Sequence, residues 1–393
     1  MRANSLWLLI GGQFFSSLAD NLAIFMVSAA VSHRSLGVPG DFIAEALGIY
    51  FLVYVLVSPW AGNLAERFPK GKIFIFANGL KVLFFVGVVF SFHPAWVYGL
   101  FGLGAVLYSP AKYGFLPFLC KDEKSLMRGN ALVEGSTTIA IILGNVFGGG
   151  LSDRGLVLAA LVGIILLAIG SGFAMLLPQT PKAKISVLRS GLSNFCQDIR
   201  FFLTHKEGGG AFSVYGSVVF WMGTRLLQTV LYLWIPAMFL LEGNGPIGIL
   251  IGTVAIGSIC GALASPYLVS YWQGGRLLGI GALMGVGILG MSLITNIYLL
   301  GAVLFVVGFL GGLYLIPINS LNEHVGEKNM GAGRAVAVQN FMENLFSAGA
   351  LYVYTFFSRQ GFSIKELIWG IGFVFIGLML SLWSVRTRQS QAD

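Results

Sequence analysis

Residues 6–31 read LWLLIGGQFFSSLADNLAIFMVSAAV, 26 positions holding a single charge, Asp20. As an α-helix this stretch would be about 39 Å long at 1.5 Å per residue, more than the hydrocarbon core of a bilayer requires. It is too long for the core of a signal peptide and lacks a convincing small-residue cleavage site, so it reads as a first membrane span. Outward from it the same pattern recurs. Cutting at polar and charged clusters yields further spans near Ile43–Ala65, Ile73–Phe92, Trp96–Leu119, Gly129–Leu151 and Leu156–Leu177. After an interruption come Ala211–Leu240, Ile247–Tyr271, Leu277–Thr295, Ile297–Leu321, Gly333–Phe357 and Leu367–Val385.

Composition agrees with twelve spans. The chain has 393 residues, 56% hydrophobic and 10% charged, with a mean hydropathy of +0.83. Soluble domains carry roughly a quarter charged residues, so most of this surface faces lipid and no large soluble domain fits beside the spans. The net charge of +8 does not indicate nucleic acid, because so few charges cannot build a phosphate-binding face; basic flanks of spans account for it. Cys120, Cys196 and Cys260 lie far apart, and His33, His93, His205 and His324 show no paired spacing. No metal, disulfide framework or cofactor is expected.

The expected architecture is all-α and integral to the membrane, with twelve helices in two pseudosymmetric six-helix bundles, residues 1–178 and 211–393. Between them lies a polar linker, 179–210, in which Val187–Leu203 has the spacing of an amphipathic surface helix, with Leu188, Leu192, Phe195, Ile199 and Phe202 on one face. With both termini in the cytoplasm, seventeen lysines and arginines fall inside and only Arg34, Arg154, Arg359 and Lys365 outside, as the positive-inside rule demands. The halves echo each other at an offset near 205 residues: Asp20 with Arg225, Tyr108-x-Pro110-x-Lys112 with Tyr314-x-x-Pro317-x-Asn319, and Gly129 with Gly333. Parallel repeats of this kind are a transporter construction, with substrate bound where the halves meet. Pro110, Pro236 and Pro317 are expected to bend their spans. Gly144-x-x-x-Gly148, Gly257-x-x-x-Gly261, Gly281-x-x-x-Gly285 and Gly308-x-x-x-Gly312 read as helix-packing faces within the bundle.

Six charges fall inside spans: the acids Asp20, Glu134 and Glu343 and the bases Lys81, Lys112 and Arg225. Each costs from about 2.5 kcal/mol upward in a bilayer, so such groups persist facing a bundle interior or a water-filled cavity, with partners. An acid at Asp20 and a guanidinium at Arg225 are expected to face each other across the cavity, with Lys112 and Glu134 a second pair nearer the cytoplasm. Together with Gln13, Asn21, Asn78, Asn130, Gln228, Asn319, Gln339, Asn340 and Asn344, they suit a ligand carrying both signs. Arg225 or Lys112 would hold a phosphate or carboxylate, and Asp20 or Glu134 an ammonium. Helix-locking salt bridges and a proton relay through Glu134 or Glu343 are the competing readings.

The loop Gly62-Asn63-Leu64-Ala65-Glu66-Arg67-Phe68-Pro69-Lys70-Gly71-Lys72 is similar to the G-x-L-A-D-R-x-G-R-[KR] signature of the major facilitator superfamily, between the same two spans. It departs from it at Glu66, at Pro69 and in the shifted Lys70-Gly71-Lys72. The resemblance implies a cytoplasmic gate in which Gly62 permits close helix approach and Glu66 and Arg67 form a charge lock. Further segments resemble the bacterial lysophospholipid transporter family of that superfamily. They are Phe76-Ala77-Asn78-Gly79-Leu80-Lys81, Tyr108-Ser109-Pro110-Ala111-Lys112-Tyr113-Gly114, Gly129-Asn130-Ala131-Leu132-Val133-Glu134 and Gly331-Ala332-Gly333-Arg334-Ala335-Val336-Ala337-Val338-Gln339-Asn340.

That resemblance implies flipping of lysophosphatidylethanolamine and lysophosphatidylglycerol from the outer to the inner leaflet of a bacterial inner membrane. A partner acyltransferase/acyl-acyl carrier protein synthetase would reacylate them, and the transporter would act as a monomer. It implies headgroup or gating roles for Asp20, Asn21, Lys112, Glu134 and Arg225, with Lys81, Gln339, Asn340 and Glu343 in the same polar set. The rival function is a proton-coupled exporter of drugs or small polar solutes. An acyltransferase is disfavoured, since no HxxxxD or GxSxG arrangement is present.

Overall fold

The computed structural model describes residues 2–35, 39–180, 191–204, 209–239 and 245–390, and these form only α-helices and their connections. The first six are α1 (Arg2–His33), α2 (Pro39–Arg67), α3 (Lys70–Val89), α4 (Pro94–Leu119), α5 (Glu123–Arg154) and α6 (Leu156–Met175). A short α7 (Gly191–Thr204) precedes α8 (Gly210–Phe239), α9 (Gly245–Leu268), α10 (Gly274–Met291), α11 (Ile297–Asn329), α12 (Ala332–Arg359) and α13 (Ile364–Ser390). The twelve long helices match the expected spans. Seven of them contain a window long and apolar enough to cross a membrane. In α5 and α12 the hydropathy is lowered by the polar side chains singled out above, among them Asn130, Glu134, Gln339, Asn340 and Glu343. Outward-facing positions are large and apolar, as at Phe76, Leu161 and Phe373, which suits contact with lipid.

Two boundaries move furthest, for identifiable reasons. α5 starts at Glu123 rather than near Gly129 because Asp122 caps it: its Oδ1 accepts from Ser125 N at 2.9 Å, and its Oδ2 from Ser125 Oγ at 2.6 Å. These bonds also hold the Asp122 carboxyl below its ordinary range. α11 runs on to Asn329 past the expected end at Leu321, because the polar run there is buried and bonded rather than a terminus. Asn130 Nδ2 donates to Glu323 at 2.9 Å and to Ser320 Oγ at 3.1 Å. Of the expected amphipathic helix the structure describes 191–204; Leu188, with the rest of 181–190, and 205–208 lie outside the described residues, as does the side chain of Pro236.

The chain divides into two units. Unit 1 comprises Met1–Lys121, Ser136–Asp198 and Gly326–Phe341. Its core is built where the small residues Ala19 and Ala23 of α1 admit the rings of Phe84 and Phe85 from α3 and of Tyr98 and Phe101 from α4. Phe84 and Phe101 stand edge to face at 5.5 Å. Gly144 and Gly148 press on α1 at Asn21 and Leu22.

Unit 2 comprises Asp122–Gly135, Ile199–Val325 and Met342–Asp393, with a core of Trp234, Ile235, Ile288, Leu304 and Ile368. The expected glycine faces are real contacts. Gly257 and Gly261 of α9 lie on the backbone of Phe305 and Phe309, and Gly308 and Gly312 of α11 on that of Val254 and Ser258. Two small-residue motifs therefore oppose each other and bring the helix backbones together. Gly281 and Gly285 instead receive Met379 and Ile376 of α13. Pro317 interrupts α11 and deprives the Leu313 carbonyl of its helical donor; Ser265 Oγ of α9 supplies a replacement at 3.4 Å.

Candidate functional site

In unit 1, α1 presents Ser16 and Asp20 on one face at a spacing of four, and α3 presents Asn78 and Lys81 at a spacing of three. These two stripes meet. Lys81 Nζ donates to Asp20 Oδ1 at 2.7 Å and Oδ2 at 2.9 Å, and to Ser16 Oγ at 3.2 Å. Ser16 Oγ donates onward to Asn78 Oδ1 at 3.0 Å, and Asn78 Nδ2 to Ser171 Oγ on α6 at 3.2 Å. The ammonium also lies 5.3 Å from the Phe101 ring centre and 4.9 Å from that of Tyr108, within cation–π range. Gly104 makes the room, since a Cβ there would come within 2.7 Å of Lys81 Cγ.

Exposure is asymmetric. The Lys81 side chain is 1% exposed and that of Asp20 is 31% exposed. The lysine is sealed behind the acid, and the acid keeps one side open.

Around this pair, Asn21 Nδ2 turns back to Ser17 O at 2.8 Å, and Gln13 Nε2 donates to Ser17 Oγ at 2.7 Å and Thr137 Oγ1 at 3.1 Å. Lys112 is buried on α4, its Nζ 4.1 Å from the Tyr113 ring centre. Gln339 is buried near the start of α12, and Asn340 Nδ2 donates to Ser109 Oγ at 2.8 Å. Glu134 on α5, Arg225 on α8 and Glu343 on α12 belong to unit 2 and are half-buried there.

The end of α2 and the start of α3 form a second locus within unit 1. Glu66 Oε1 accepts from Gly333 N, in the first turn of α12, at 2.7 Å, and Glu66 Oε2 lies 3.4 Å from Lys70 Nζ. A carboxylate at a helix N-terminus meets unbonded amides and the positive end of the helix dipole. Gly62 lies close against α12: a Cβ there would stand 2.8 Å from Arg334 Cα. Gly331, at a φ of +98°, turns the chain into α12 where only glycine fits against the Glu66 side chain. Arg67 is exposed, its guanidinium 5.8 Å from the Phe68 ring centre.

Four participants were not among the expected site residues. Ser16 and Lys70 are ordinary by sequence, and Glu323 was hidden beyond the expected end of its helix. Asp198 falls between the apolar positions of the expected linker helix, yet it is 7% exposed and bonded to Arg334. Burial holds its carboxyl above the ordinary range even though the Arg334 guanidinium opposes that shift.

Comparison with known proteins identifies the family and the fold. Residues 9–351 match the Major Facilitator Superfamily. The chain is 35% identical to the lysophospholipid transporter LplT of Citrobacter koseri, over 97% of this chain and 95% of that protein. It is 33% identical to the LplT of Photorhabdus laumondii, over 94% and 93%. Among solved structures, the human organic anion transporter MFSD10 superposes with a TM-score of 0.80 at 12% identity, covering 98% of this chain and 99% of that one. A bacterial homologue of the iron transporter ferroportin gives 0.75 at 15% identity, covering 98% and 99%; these two matches establish the fold. The chain therefore belongs to the lysophospholipid transporter family of the Major Facilitator Superfamily, a family of multi-pass membrane transporters rather than enzymes.

Proposed function

We propose that this protein moves lysophosphatidylethanolamine and lysophosphatidylglycerol from the outer to the inner leaflet of a bacterial inner membrane, by alternating access, for reacylation by a partner acyltransferase/acyl-acyl carrier protein synthetase. The observation that carries the reading is the Asp20–Lys81 pair, an acid open on one side with its base sealed behind it, in a chain so similar to LplT proteins. A lysolipid headgroup brings a phosphate and often an amine, and a half-open carboxylate can trade part of its hold on Lys81 for that amine. Arg225 and Lys112 are the cations assigned to the phosphate, with Asn21, Glu134, Gln339, Asn340 and Glu343 completing the polar path. The single acyl chain stays among apolar helix faces or lipid, where burial costs nothing. Glu66 at the first turn of α12 is the cytoplasmic closure, with Gly62 beneath it and Arg67 beside it. The positive-inside count places both termini in the cytoplasm, and the protein works as a monomer of two six-helix bundles.

The test is uptake of labelled lysophosphatidylethanolamine from the outer leaflet of proteoliposomes holding the pure protein, scored by back-extraction. Wild-type protein is expected to move the lipid, and Arg225→Ala to reduce the rate by about a hundredfold, since it removes a charge-assisted contact at membrane depth. Near-normal movement by a correctly inserted Arg225→Ala would remove that residue from the site. Absence of movement by the wild type, with or without a proton gradient, would overturn the lipid reading in favour of a small-solute exporter.

A further inference from the structure

The gate loop explains Glu66 but not the second carboxylate that reaches the same turn of α12. Asp198, on α7, accepts from Arg334 Nε at 2.9 Å and from Nη2 at 2.5 Å, a parallel two-point contact. Both side chains are largely enclosed, at 7% and 17% exposure. The first half of α7 is seated firmly in unit 1. Phe195 stands edge-on to Phe341 with ring centres 5.2 Å apart, and a Cβ at Gly191 would come 2.5 Å from the Trp60 ring.

The polarity of the pair is informative. Arg334 is the third residue of α12, where the helix's own first amides carry positive partial charge, so a guanidinium there is disfavoured by its helix. Asp198 in turn is disfavoured by its burial. Each charge is bonded by the other at a place that its own surroundings disfavour, which combines specific geometry with a weak net hold. A permanent brace would carry the opposite polarity, with the acid on α12. A contact that must open and close gains from this one.

We propose that Asp198 and Arg334 form a positioning clamp that seats the first turn of α12 against Glu66, and that it is made and broken once per transport cycle, so that α7 sets the lifetime of the closed gate. This rests on the alternating-access reading above. Neither residue touches the lipid; they act through the Gly333–Glu66 contact.

The experiment uses the full chain in lipid nanodiscs, with the exposed Cys196 and Cys260 replaced by serine and spin labels at Lys72→Cys and Lys328→Cys, both exposed positions in unit 1. Pulsed dipolar distances then report the closed fraction. Asp198→Asn and Arg334→Gln are each expected to shift the closed-to-open ratio about tenfold toward open, within the usual span of coupling between sites. The exchanged pair, Asp198→Arg with Arg334→Asp, is expected to restore at least the wild-type closed fraction, because it puts the acid on α12. In transport, the single variants are expected to change maximal rate while leaving the half-saturating lysolipid concentration within about twofold, as expected for residues outside the lipid site.

Unchanged distances in the single variants, or an exchanged pair as open as they are, would overturn the clamp. Should a single variant fail to insert, Asp198→Glu and the exchanged pair decide the matter by the same distances. If the lipid reading were wrong, wild-type uptake would fail while the distance measurements still reported on the clamp, so the two failures are distinguishable.

Discussion

Asp20→Asn and Lys81→Met, made singly, are expected to abolish lysolipid movement and to lower the thermal midpoint of the purified protein, by on the order of 10 °C. Removing one partner of a buried pair leaves the other charge uncompensated, at a cost of about 3–5 kcal/mol, and a unit of this size shifts by a few degrees per kcal/mol. In Asp20→Asn the ammonium of Lys81 keeps a neutral amide oxygen, Ser16 and the faces of Phe101 and Tyr108, and loses its bonded anion. In Lys81→Met the carboxylate loses its bonded cation and meets a thioether in its place. The double variant separates structure from function. With both charges gone it is expected to recover most of the lost midpoint, since a neutral amide beside a thioether of lysine's length suits the same space. It is expected to remain inactive, because the proposed reading makes the partly exposed acid the point of contact for the headgroup. A stable double variant that transported normally would reduce the pair to a lock between α1 and α3.

The second large effect is expected at the α9–α11 seam. Gly261→Leu would drive a side chain into the Phe309 backbone, where not even a Cβ has room without movement. Helix backbone cannot yield as a flexible side chain does, so the two helices must separate along their whole contact. The expected result is loss of folded protein from the membrane, read as monodisperse yield and as protease resistance in detergent. Gly290→Leu, on α10, is the control: nothing lies within 4 Å of a Cβ at that position, and near-normal yield is expected. Full yield and resistance for Gly261→Leu would show that the seam tolerates separation.

The twelve spans, the motif between the second and third of them and the glycine faces were all legible in the sequence because each is a local pattern: a run of apolar residues, a short signature, a spacing of four. The pairings were not. Lys81 finds Asp20 at a separation of 61 residues, Arg334 finds Asp198 at 136, and Asn130 finds Glu323 at 193. Periodicity says which residues share a face of one helix and nothing about which neighbouring helix supplies the partner. Lys81 was therefore recognisable as a charge needing compensation, while Ser16, equally part of its network, looked like any polar residue in a span. Glu323 was missed for the reverse reason, since a cluster of polar residues at the end of an apolar run resembles a helix terminus until their bonds are seen. Asp198 shows the limit of amphipathic patterning, because its polar face meets a guanidinium rather than water.

The bond between Ser265 and the Leu313 carbonyl bears on biogenesis. An unbonded carbonyl in lipid costs several kcal/mol, so α11, once inserted, carries a backbone defect at Pro317 that it cannot repair by itself. α9 leaves the ribosome first and holds the missing hydroxyl, beside a glycine face that admits α11 to backbone contact. The later helix is thus drawn to a partner already in place, and the proline becomes an instruction about order of assembly: α11 completes its own hydrogen bonding only by docking where α9 waits.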